Sequence, residues 1–70
     1  MKQNEIAVGK CYGNGKGQIR EVLLINRPSN LFAWEVTYLI RKGALPGQLT
    51  KRTITRQSFA AWAKEEVEER

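Results

Sequence analysis

Seventy residues with a formal net charge of +5, 41% hydrophobic and 27% charged, suit one small globular domain, and a chain of this size buries only about 60% of the surface its unfolded form exposes. Cys11 is the single cysteine, which excludes an internal disulfide, and the lack of histidine and aspartate removes the commonest general base, the usual triads and most metal sites. No apolar run approaches the roughly 20 residues of a membrane helix, and the opening stretch from Met1 to Val8 lacks the long apolar segment of a signal peptide, so the expectation is a cytoplasmic chain with no membrane, metal or cofactor.

The first few residues, 1–5, are expected to be loose. A first strand is predicted around Lys10 to Tyr12. A turn follows, in which Gly13, Gly15 and Gly17 beside Asn14 supply the positive-φ positions of a tight β-connection. Gln18 to about Ile25 reads as a second strand, closed by the turn cluster Asn26-Arg27-Pro28-Ser29-Asn30. Its run Val22-Leu23-Leu24-Ile25 breaks the alternation of faces. Such a run is buried on both sides of the sheet, or carries a bulge, or makes a dimer contact.

Phe32, Trp34, Val36, Tyr38 and Ile40 recur at period two opposite Ala33, Glu35, Thr37 and Arg41, which marks a third strand. Lys42 to Gly47 turns the chain, and Leu49 to Ile54, rich in threonine, forms the last predicted strand. The period then changes. Phe59, Trp62, Ala63 and Val67 share one face of a helix predicted from about Arg56 to Glu68, with Thr55 or Ser58 as its N-cap. The glutamates near the end of that helix oppose its dipole, so its last turn is expected to fray.

The spacing Val8-Gly9, Tyr12, Gly17, Arg20, Val22, Ile25, then a Tyr38-bearing strand and a Phe59-x-x-Trp62-Ala63 helix, resembles small SH3-like barrels of the Tudor- and KOW-like group, in particular short uncharacterised bacterial or phage proteins. The resemblance implies a single domain over residues 1–70, mainly β, a four- or five-stranded antiparallel barrel with a C-terminal amphipathic α-helix. Barrels of that kind bind RNA, DNA, peptides, modified side chains and one another. A Pro-rich peptide is disfavoured, because this basic chain has no equivalent of the exposed aromatic cluster and acidic residues of the usual SH3 groove.

The candidate chemistry is sparse. Gly13-x-Gly15-x-Gly17 has neither the dinucleotide spacing nor the Ser/Thr that follows the lysine of a phosphate loop, so it is read as a β-turn. Cys11 has no imidazole to activate it and is read as a structural thiol. Glu21 and Glu35 are placed facing each other across the second and third strands, with Arg20 and Arg41 as ion-pair partners. The chain is not expected to be an enzyme.

Charge gives the one functional lead. Glu65, Glu66, Glu68 and Glu69 are four of the seven acids; removing residues 64–70 leaves ten cations against three acids, or +7. Lys10, Lys16 and Arg20 surround the first hairpin, and Lys51, Arg52 and Arg56 run from the last strand into the helix. In a barrel these groups approach each other, and the expectation is a shared face for the phosphate backbone of DNA or RNA. The period-two stripe of Phe32, Trp34 and Tyr38 is read as core, open to bases only if its face is uncovered. The alternative is a protein-interaction module or homo-oligomer, since Leu23, Leu39 and Leu49 cannot all fit inside so small a barrel.

Overall fold

A computed structural model describes residues 1–28 and 33–68. A five-stranded antiparallel sheet carries one helix on one face. Its strands are β1 (Cys11–Gly13), β2 (Ile19–Asn26), β3 (Glu35–Lys42), β4 (Lys51–Thr55) and β5 (Glu65–Val67), and the helix α1 (Arg56–Trp62) lies between the last two. The sheet order is β4-β3-β2-β1-β5. Strands β4 and β5 are therefore its two edges, and the sheet is open where closure into a barrel was expected.

The clearest sequence pattern becomes the clearest strand. Val36, Tyr38 and Ile40 of β3 are buried while the residues between them are not, as alternation across a half-covered sheet requires. Cross-strand partners share a face, so Arg20 opposite Ile40, Val22 opposite Tyr38, and Arg52 opposite Tyr38 all lie on the helix side. The apolar run in β2 resolves as a bulge: the register slips between Val22 and Leu24, and Leu24 is 53% exposed. One extra residue re-aims the strand, so Ile25 returns to the core side opposite Val36.

Phe59 is the centre of the core. It is fully buried and packs edge-on to Tyr12 at 5.7 Å, against Tyr38 at 5.6 Å and against Trp62 at 5.6 Å between ring centroids. Such ring pairs add about 0.5–1.5 kcal/mol each beyond their burial. The Tyr12 hydroxyl is satisfied at the rim of this core, accepting from the Ala7 amide at 2.8 Å and donating to the Glu5 carbonyl at 3.0 Å. Burial pushes its pKa above the ordinary tyrosine value.

The helix is shorter than its amphipathic period implied. Thr55 is the N-cap, its hydroxyl accepting from the Ser58 amide at 3.1 Å, but the helix ends at Trp62 and is not C-terminal. Ala63 is already extended, the Lys64 amide donates to the Gly13 carbonyl at 2.8 Å, and Glu65–Val67 adds a strand beside β1. Val67 therefore sits opposite Cys11 in the sheet and not on a helix face. The glutamates oppose the dipole of a longer helix. The Met1 amino group instead lies at the helix end, donating to the carbonyls of Ala60 and Ala63, both at 3.0 Å. In the segment expected to be loose, Gln3–Glu5 forms a 3-10 turn.

The loop after β3 is fastened to the first hairpin at Gly43. Its φ of +78° is a left-handed position, and a Cβ there would stand 2.6 Å from the Gly17 carbonyl oxygen, so two requirements select glycine at once. Gln18 bonds the Gly43 carbonyl through Nε2 at 3.1 Å and reaches Gln48 at 3.3 Å. Among the described residues, no helix is long and apolar enough to cross a membrane.

Candidate polyanion-binding surface

The six cations singled out in the sequence divide among several places. Strand β1 is separated from β4 by β2 and β3, about 14 Å at the usual strand spacing, so the open sheet brings together only part of the two groups, Arg20 of β2 and Arg52 of β4. Lys10 stands toward the β5 edge, paired with Glu66 at 3.3 Å. Lys16 is exposed in the β1–β2 turn, where its backbone amide donates to Asn14 Oδ1 at 2.8 Å. Lys51 lies opposite Leu39 and Arg52 opposite Tyr38, so these neighbours project from opposite faces.

Arg20 and Arg52 share the helix-side face. Arg20 is only 9% exposed, and its guanidinium lies over the Trp62 ring at 3.9 Å and the Tyr38 ring at 4.4 Å. Gln18 Oε1 accepts from its Nε at 2.7 Å, which fixes the plane of the group. Among the described residues, no carboxylate pairs with it. Burial lowers its pKa; Tyr38 acts in the opposite sense, and the positive charge of Arg52 lowers it further. Rings replace a counterion here, at about 0.5–2 kcal/mol for each cation–π contact.

Arg56 occupies the other end of the same side. Its amide donates to the Trp34 carbonyl at 2.8 Å, and its guanidinium lies 5.2 Å from the Trp34 ring. Arg27 approaches the same ring at 5.5 Å. Trp34 is 39% exposed, and neither arginine forms an ion pair among the described residues. Arg56 Nε is buried without a hydrogen-bond partner. A shallow groove of about 640 Å³ adjoins it between the 3-10 turn and α1, and Lys2 and Arg56 are the charged side chains of its wall.

The aromatic stripe thus divides. Tyr38 is buried core and Trp34 is open, while Phe32 falls outside the described residues. Arg27 was not among the six candidates. Its signal was register: Asn26 pairs with Glu35 and Ile25 with Val36, and the next step of that pairing sets Arg27 against Trp34. Glu21 and Glu35 do not face each other. Glu21 lies opposite Leu39 and bonds Arg41 at 3.3 Å, whereas Glu35 lies opposite Asn26.

Among the described residues, no cluster of three or more histidine, cysteine, aspartate or glutamate side chains is placed to hold a metal ion. Compared with protein-family models, curated proteins and solved structures, the chain matches none.

Proposed function

We propose that this protein is a non-enzymatic binding module for nucleic acid or another polyanion. The observation that carries the reading is the arginine row on the helix side of the sheet, Arg52, Arg56 and Arg27, none joined to a carboxylate among the described residues; Arg20 on the same side is buried under its rings. Unneutralised cations on one side of a basic domain attract phosphate from a distance and release counterions on contact. Of the original six, Arg52 and Arg56 are the principal contacts, with Lys16 at the hairpin tip. Lys10 is diverted by Glu66. An SH3-like arrangement that stops short of closure is supported by the antiparallel meander whose last strand returns to the first.

Fluorescence anisotropy with single-stranded and duplex probes tests this. Affinity falls with salt, with a log-log slope of about −0.9 per phosphate neutralised on duplex or about −0.7 on single strands. The double substitution Arg52→Ala and Arg56→Ala weakens binding to all sequences alike and flattens the slope by about one unit per lost contact. No binding at low salt, or binding untouched by the pair, overturns the reading.

Exposed leucines favour a second reading, a homo-oligomer or protein-interaction module. Leu23, Leu24, Leu45 and Leu49 are all exposed, consistent with an apolar patch. Sedimentation over a range of concentrations decides whether a second copy covers them.

A further inference from the structure

Trp34 differs from the other large aromatics among the described residues. Tyr12, Tyr38 and Phe59 are fully buried, and Trp62 is packed against them. Trp34 instead leaves part of its indole uncovered between two arginines that approach it at 5.2 and 5.5 Å. A partly uncovered indole presents a flat π-face that a ligand can stack on. A phosphate oxygen accepts from a guanidinium, and a nucleobase offers a flat π-face to an indole.

The geometry points to Trp34, Arg27 and Arg56 as a stacking site for one base of a single-stranded nucleic acid. The base displaces a guanidinium from the indole face, where both now lie over the ring, and the two guanidinium groups then take the flanking phosphates. This rests on the polyanion reading and narrows it to strands whose bases are free. A duplex keeps its bases stacked on each other and offers this site phosphates alone. The ring reads a π-face and no hydrogen-bonding edge, so base identity matters little.

The test compares three probes at equal length on the full chain: oligo-dT, an abasic strand with the same phosphates and no bases, and a duplex. Oligo-dT binds at least ten-fold tighter than the abasic strand, a factor worth about 1.4 kcal/mol. Trp34→Ala abolishes that difference, and Trp34→Phe restores most of it. Circular dichroism establishes that the variants are folded; should Trp34→Ala not fold, the wild-type ratio of oligo-dT to abasic strand decides. Equal affinity for those two probes overturns the stacking site while leaving the polyanion reading in place. An oligo-dT preference that survives in folded Trp34→Ala overturns the assignment to Trp34. Failure of all three probes to bind at low salt removes the polyanion reading and this inference together.

Discussion

The two tryptophans each meet arginine, at opposite ends of the same side of the sheet, and the two meetings have opposite outcomes. At one end Arg20 is clamped between Trp62 and Tyr38, with Gln18 fixing its Nε. At the other, Arg27 and Arg56 stand around a Trp34 that remains partly open. The first consumes its rings and its cation in folding. The second leaves part of its ring uncovered and its two cations without a carboxylate among the described residues. Residue types alone do not separate the cases; the amount of ring left uncovered does.

The strongest way to break this contrast is to remove the clamp. Trp62→Ala deletes a ring packed on Phe59 and Arg20 and is expected to lower unfolding free energy by about 3 kcal/mol. Denaturant unfolding measures it, and a variant as stable as its parent would make the Arg20 end an open surface like the other. Gly43→Ala strikes the same end through the backbone, since the new Cβ meets Gly17 and Gln18. About 2 kcal/mol or more is expected, from the left-handed φ together with the clash. The emission of Trp34 in the folded variant should not change.

Smaller effects sharpen the comparison. Tyr12 lies in the core shared by both ends, and its pKa is raised by burial in the folded state. Its contribution is complete below the unfolded value near 10 and is lost as pH rises through the higher folded one. Stability should therefore fall above about pH 10, and Tyr12→Phe should flatten that fall while costing about 1 kcal/mol at neutral pH for its lost hydrogen bonds. A change no larger is expected at the open end. Trp34→Ala should alter stability by about 1 kcal/mol, the sum of two exposed cation–π contacts, read from the same unfolding curves.

What was legible in the sequence follows the strength of each local signal. Alternation through Val36, Tyr38 and Ile40 survived folding because one face of β3 is buried and the other is not. The Thr55 cap was legible because its bond to Ser58 is local. Strand β5 was not, since Glu65 and Glu66 have little preference for strands and pair with β1 across more than fifty residues of chain. The barrel expectation failed at the same point: the edges β4 and β5 do not meet. The basic groups were visible by composition, but charge says nothing about direction. Strand parity sent Lys51 and Arg52 to opposite faces, and the β5 strand brought Glu66 to Lys10.

Single-tryptophan fluorescence puts the contrast between the two ends to the most direct test. Trp62→Phe leaves Trp34 as the sole indole, and Trp34→Phe leaves Trp62. Titrated with oligo-dT at low salt, the protein retaining Trp34 should lose emission as a base stacks on it, while the protein retaining Trp62 should stay unchanged. Quenching confined to Trp62, or equal in both, would contradict the account and move the binding surface to the Arg20 end.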